Sequence, residues 1–377
     1  MVAVASTARA ARDLDGVEPL DADAIVGPSV LPDVPLRGDM PRLARHLVTL
    51  DDGHQVGVAV CGRGVPLVVV HGFTAEGILY AQTLSRLVDL GFKIIAIDMA
   101  GHGGTLGLPT SGASMSAFAD LLSRTLDHLG VERAVFLGHS MGGRLVTQLV
   151  ASEPERAIAV ISVDGIIGKT WDQIISLARF FPPVLVPPVV ILVVDTLSTV
   201  PVFDDREQAG KLLHLVAPTL IGHIRRPWRL VAPGVSIIRS RGSGWMLDKI
   251  RQERIPFVAM TGQFDFAVPA RTAKDAARRA NGELVVVRGG THSWLLKDPE
   301  TLPAIMQKLM QGRLGTAVLR AVSRAGLDSD EATAEEREGA FLEEGSLVAT
   351  LTPELGAFQD DETFHETPRY RFTISQD

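Results

Sequence analysis

Four runs of mostly apolar, often β-branched residues recur between Val65 and Val163, and segments of helical period separate them. The runs cover Val65–Val70, residues 93–97, residues 133–137 and Ala157–Val163. Residues 81–90, 114–129 and Met141–Ser152 lie between them. A strand with one wet face alternates apolar and polar side chains, whereas a run that is apolar throughout is covered on both faces. Short, doubly covered strands joined by helices are βαβ units. The chain is therefore predicted to be an α/β protein, with a mostly parallel twisted sheet and helices on both faces.

Residues 45–50 and 54–60 precede this pattern as two strand-like runs joined at Asp51-Asp52-Gly53, and Asp-Gly is a hairpin signal. The alternation breaks over 165–254, which holds helical stretches and many prolines but no strand pattern. It resumes with a strand at 256–260, a helix at 271–280, a strand at Glu283–Val287 and a helix at 299–310. The division expected is an extended N-terminal leader (1–44), a core (45–164 and 255–313), an inserted helical cap (165–254) and a C-terminal tail (314–377). Residues 316–377 hold 14 Asp and Glu against 5 Arg, so this tail reads as acidic and flexible.

With 377 residues, of which 46% are apolar, the chain can bury a large core without staples. Its single cysteine, Cys61, excludes an internal disulfide and speaks against a cysteine-rich zinc site. A net charge of −7 argues against a nucleic-acid partner, which calls for a basic excess. The N-terminus has no apolar segment behind Arg9 and Arg12, so neither a signal peptide nor a membrane-spanning helix is read, and a cytoplasmic location is expected.

The chemistry gathers at the ends of the predicted strands. Gly138-His139-Ser140-Met141-Gly142 is a G-x-S-x-G element between a strand and a helix, the context in which such a turn pushes a serine hydroxyl out at the sheet edge. A serine nucleophile needs a base, and the base needs an orienting acid. Asp265 follows the strand at 256–260, and His292 follows the strand Glu283–Val287, so both fall at the edge that Ser140 occupies. His71-Gly72-Phe73-Thr74 closes the run Val65–Val70. There the Phe73 N–H, with that of Met141 at the start of the next helix, forms a candidate oxyanion hole. His71, His102 and His139 are read as turn residues. A neutral histidine is required for proton abstraction, so activity is expected to rise through an apparent pKa of about 6–7.5.

These elements resemble the α/β-hydrolase superfamily over roughly residues 45–313, in the branch with an HG-x oxyanion turn and a helical cap. Asp98-Met99-Ala100-Gly101-His102-Gly103 resembles the family's D-x-x-G-x-G turn, with Ala100 where relatives usually carry Arg or Pro. The resemblance implies the α/β-hydrolase fold, with Ser140 as nucleophile, His292 as base and then acid, and Asp265 as the orienting carboxylate. Asp164, after Ala157–Val163, stands where some relatives place that acid. It implies no cofactor and no metal. Related dehalogenases and epoxide hydrolases attack with aspartate, so Ser140 points instead to acyl transfer. Ester, thioester and carbon–carbon bond hydrolysis stay open, as do cofactor-free haloperoxidase or perhydrolase chemistry and a non-catalytic ligand receptor.

Within the cap, residues 180–194 read FFPPVLVPPVVILVV, fifteen residues without a polar side chain, and they raise the mean hydropathy to +0.20. Four prolines and a short span exclude a transmembrane helix. The segment reads as a buried cap core, a lipophilic substrate tunnel, or a surface touching a membrane or lipid aggregate. Phe180, Leu185 and Ile191 from it, with Thr74 and Trp294 beside the catalytic turns, are the candidate pocket residues for an apolar ester. The cap arginines Arg225, Arg226, Arg229, Arg239 and Arg241 read as a solvated face or as an attractor of anionic headgroups.

Overall fold

The apolar runs pair into one ten-stranded sheet in the order β1-β10-β9-β8-β7-β6-β4-β5-β3-β2. A computed structural model describes residues 18–20, 43–197, 221–222, 225–351 and 368–376. The strands are β1 (Glu18–Leu20), β2 (Ala44–Thr49), β3 (Gln55–Cys61), β4 (Val65–Val70), β5 (Phe92–Ile97), β6 (Ala134–His139), β7 (Ala157–Val163), β8 (Phe257–Gly262), β9 (Glu283–Val287) and β10 (Phe372–Gln376). From β5 to β9 every neighbouring pair is parallel, while β2, β3, β10 and β1 add antiparallel edges.

Period-two geometry explains the unbroken apolar runs. Val68 and Val70 of β4 enter one core with Phe136 of β6, while Leu67 and Val69 enter the other with Val135 and Leu137. Described helices cover both faces: α1 (Ala81–Arg86), α2 (Met115–Leu129), α3 (Met141–Ser152), α4 (Lys169–Phe180), α5 (Val186–Leu197), α6 (Val231–Arg239), α7 (Gly244–Gln252), α8 (Ala270–Ala280), α9 (Trp294–Lys297), α10 (Thr301–Met310), α11 (Arg313–Arg324), α12 (Ala334–Gly339) and α13 (Leu347–Thr350). Helix α2 has the limits its sequence predicts. The Ser114 side chain caps it by accepting from Ala117 N–H, and Gly130 ends it at φ 71°.

The C-terminal region departs from the flexible tail expected. Leu314, Val318, Ala321 and Val322 of α11 are buried at helical spacing, and Phe372 and Ile374 put β10 into the sheet beside β9. Charge counting missed this because some of the acids are themselves inside. Glu338 pairs with Lys93 of β5 at 3.0 Å, with both side chains about 5% exposed. In the leader, residues 18–20 pair with β10 as β1.

Between β7 and β8 the described residues form helices, with two features the sequence did not suggest. Helix α7 packs Met246, Leu247 and Ile250 into the core, so the insertion ends before it. The prolines, counted in the sequence against a long helix, sit where helices tolerate them. Pro182 and Pro183 open a 3₁₀ turn, and Pro187 and Pro188 lie in the first turn of α5, where a missing N–H costs nothing.

Candidate active site

The sheet order reverses around β4, and the ends of β4 and β6 flank that switch point, where open α/β sheets form their crevice. Five non-glycine residues in the described chain have positive φ, and three of them (Thr74, Ser140 and Asp164) follow β4, β6 and β7 at this edge. Ser140 sits at φ 53° and ψ −115° between β6 and α3. Crowding enforces the turn. A Cβ on Gly138 would lie 2.3 Å from the Gly142 carbonyl, and one on Gly142 would lie 2.1 Å from the Val70 carbonyl oxygen. The strained conformation is held by the Ser140 N–H bond to Val163 O (2.8 Å) and by Gly143 and Ile166 N–H groups on Ser140 O. Among the described residues the Ser140 hydroxyl makes no hydrogen bond, a looseness common to substrate-free hydrolases.

Asp265 and His292 meet across their loops. His292 Nδ1 lies 2.7 Å from Asp265 Oδ2, and Asp265 Oδ1 accepts from the Ala267 and Val268 N–H groups at 2.9 and 2.8 Å. Both side chains are almost fully buried. Burial alone would lower the His292 pKa, but the adjacent Asp265 charge and hydrogen bond, with Asp164 behind, push it up to about 9. Asp164 comes to the same place: one ligand atom from each of Asp164, Asp265 and His292 lies within 4.8 Å of the others. Its carboxyl accepts from Gly262 N–H and Trp294 Nε1–H, both at 2.8 Å. Burial and the Asp265 charge raise the Asp164 pKa well above the usual carboxylate range. Each member of this group is thus committed to protein hydrogen bonds.

The turn after β4 is locked by histidines. His71 donates from Nδ1 to Gly72 O (2.8 Å) and accepts Met99 N–H at Nε2 (2.9 Å). Fixing the Gly72 carbonyl fixes the same peptide plane that carries the Phe73 N–H. That N–H has no protein acceptor among the described residues. The Met141 N–H, first in α3, has no partner within its helix. His102 Nε2 accepts Thr74 N–H at 3.3 Å, so the backbone of Thr74 belongs to the turn's framework.

Sequence reading missed the role of His139 and missed Tyr80 entirely. Tyr80 OH donates to His139 Nδ1 (2.9 Å), and His139 Nε2–H donates to His292 O (3.1 Å). Burial and the neighbouring His292 hold the His139 pKa down at about 3, so it stays neutral and can play both parts. The residue beside Ser140 is thereby tied to the backbone of His292. No local signal could have found Tyr80, which lies 59 residues from its partner.

Helix α5 adds a further contact. Asp195 accepts from Ser293 N–H (2.7 Å) and from Lys297 Nζ (2.7 Å), and Lys297 also donates to Thr291 Oγ1 (2.8 Å). Helix α5 is thus bonded to Ser293 directly and linked to Thr291 through Lys297. Pro188, Ile191 and Leu192, with Asp195, form the inward stripe, whereas Val186, Val189, Val190, Val193 and Val194 are about half exposed or more. Two pocket expectations are corrected. Trp294 has no exposed surface, because its indole is buried beneath the site on Asp164. Phe180 is 89% exposed, so among the described residues nothing encloses it as a pocket wall. Leu185 packs partly buried on the core, and Ile191 remains on the inward stripe. Among the described residues no helix is long and apolar enough to cross a membrane.

A profile of the alpha/beta hydrolase fold matches residues 65–183. A Mycobacterium phage D29 protein named as a non-heme haloperoxidase is 30% identical over 259 residues, which is 67% of this chain and 90% of the phage protein. Among solved structures, a thermophilic esterase from Thermogutta terrifontis superposes with a TM-score of 0.53 at 21% identity, covering 71% of this chain and 98% of its own. An esterase from Rhodococcus sp. ECU1013 gives 0.54 at 20% identity over 71% and 98%. The chain belongs to the α/β-hydrolase fold family. It is a hydrolase by family and shares its fold with these two solved esterases.

Proposed function

We propose that this hydrolase cleaves an ester of an apolar acyl group through an acyl-enzyme on Ser140. The observation that carries the reading is the buried Asp265–His292 hydrogen bond, tied through His139 to a serine held at a strained turn. In the proposed cycle His292 takes the Ser140 proton while Oγ attacks the ester carbonyl carbon. Phe73 and Met141 N–H groups bind the resulting oxyanion, each worth about 3–4 kcal/mol. His292 then returns the proton to the leaving alcohol, and the acyl group remains on Ser140. Water, deprotonated by His292, releases the acid and restores the serine. The phage relative's name favours one second reading, in which hydrogen peroxide replaces that water and the product is a peracid. Assaying acid and peracid release side by side separates the two.

The reading fixes a pH dependence. His292 must be neutral to accept a proton, and the Asp265 charge raises its pKa. The rising limb of kcat/KM is therefore expected well above the ordinary imidazole value of 6.5, toward 9, and above the range expected from sequence. A plateau already reached at pH 6 contradicts it.

Ile191, on the inward stripe of α5, is proposed to line the acyl pocket. Lengthening the acyl chain from two to eight carbons is expected to raise kcat/KM roughly fiftyfold, if about half of the ~0.8 kcal/mol per methylene is realised. Ile191→Asp is expected to flatten that profile and spare acetate esters, and equal losses at every chain length would contradict a pocket role. The outward valines of α5, beside the exposed Phe180 and Phe181, are proposed to touch a lipid surface. Val190→Asp with Val193→Asp is expected to reduce sedimentation with anionic vesicles and leave acetate ester turnover unchanged. Unaltered sedimentation contradicts the contact.

A further inference from the structure

The opposite edge of the sheet holds a second cavity. Where β6, β7 and β8 begin, a space of about 420 Å³ opens against α11, lined by Arg133, Arg254, Arg320 and Arg324 with an apolar floor that includes Ile158 and Ile255. Each of these strands ends beside the candidate active site, so the cavity lies about 20 Å from Ser140, one seven-residue strand away.

Four arginines line the cavity, Arg133 partly buried and Arg254, Arg320 and Arg324 exposed, with few acids beside them. Glu155 and Glu253 are the only carboxylates in the lining, and Glu253 is already paired with Lys249 at 2.6 Å. None of the four arginines forms an ion pair among the described residues. Arg133 Nε is buried without a hydrogen-bond partner. Burial and the neighbouring Arg324 charge lower the Arg133 pKa. Arg254 follows the end of α7 at φ 56°, a left-handed position that helices usually give to glycine. Like charges, an orphaned buried donor and a strained backbone are tolerated together when a ligand offsets them.

We propose that this cavity is a binding site for a small soluble anion carrying two or more phosphate groups. A planar guanidinium fork pairs two N–H donors with two phosphate oxygens, and four such forks match several charges where a lone carboxylate would leave most of them unpaired. The site is independent of the roles proposed for Ser140 and His292.

Calorimetry of the full chain with inorganic tripolyphosphate tests it. Saturable one-to-one binding is expected, weakening as salt rises, together with a higher melting temperature in excess ligand. Arg324→Gln and Arg254→Gly are each expected to weaken binding about tenfold or more, the loss of a charge-assisted bidentate contact. In the absence of ligand both variants are expected to melt at or above the parent temperature, because one relieves repulsion and the other strain. Ester turnover should be unchanged in both. Absence of saturable binding overturns the proposal, as does undiminished affinity in both variants. Binding confined to anionic lipid vesicles, with none to tripolyphosphate, also overturns it.

Discussion

Ser140→Ala is expected to lower kcat/KM for ester hydrolysis by about 10⁴- to 10⁶-fold, with the melting temperature held close to the parent. The hydroxyl makes no hydrogen bond in the described structure, and alanine tolerates φ 53° no worse than serine, so the fold has little reason to respond. Ser140→Gly sharpens the point. It should be equally inactive yet about 1 kcal/mol more stable, because glycine adopts this conformation without strain. His292→Ala should match the serine variant in activity, and the double variant should be little worse, since residues acting in one step do not contribute additively. Urea denaturation beside initial rates checks both halves. Substantial turnover by Ser140→Ala would place the chemistry elsewhere.

The second large effect separates two carboxylates that lie side by side. Asp265→Asn is expected to cost about 10³- to 10⁴-fold in kcat, because the amide cannot stabilise a charged His292 and can hold it in the wrong tautomer. Asp164→Asn is expected to stay within tenfold. Burial and the Asp265 charge already favour the uncharged form of Asp164, and an amide can still accept from Gly262 or Trp294 while donating toward Asp265. The pH profile offers a second readout. Loss of the Asp265 charge should move the rising limb toward acid, because that charge keeps the His292 pKa high. If Asp164 takes over part of the work once Asp265 is gone, the double variant should lose the residue of activity that Asp265→Asn keeps. A severe Asp164→Asn with a mild Asp265→Asn would reverse the assignment.

The parallel sheet was legible because its strands bury both faces, which leaves unbroken apolar runs such as Val65–Val70 and Ala157–Val163. The strand–turn–helix context of Ser140 was legible for the same reason, as were the loops holding Asp265 and His292. What stayed hidden depends on contacts across long sequence distances. Tyr80 reaching His139, Asp195 reaching Ser293 and Trp294 reaching Asp164 join residues 59, 98 and 130 positions apart. Composition misled at the C-terminus, where α11 carries a buried stripe inside an acidic stretch and Glu338 is neutralised by Lys93. It misled in the cap as well, because an all-apolar sequence does not say which face of α5 turns inward.

A covalent label tests the central claim most directly. The protein treated with a fluorophosphonate at pH 8 should gain the mass of one phosphonyl group, mapped by peptide sequencing to Ser140. Labelling should vanish in Ser140→Ala, slow by orders of magnitude in His292→Ala, and fall in the parent as the pH drops and His292 takes up its proton. An adduct on another residue, or labelling of Ser140→Ala at the parent rate, would contradict the account.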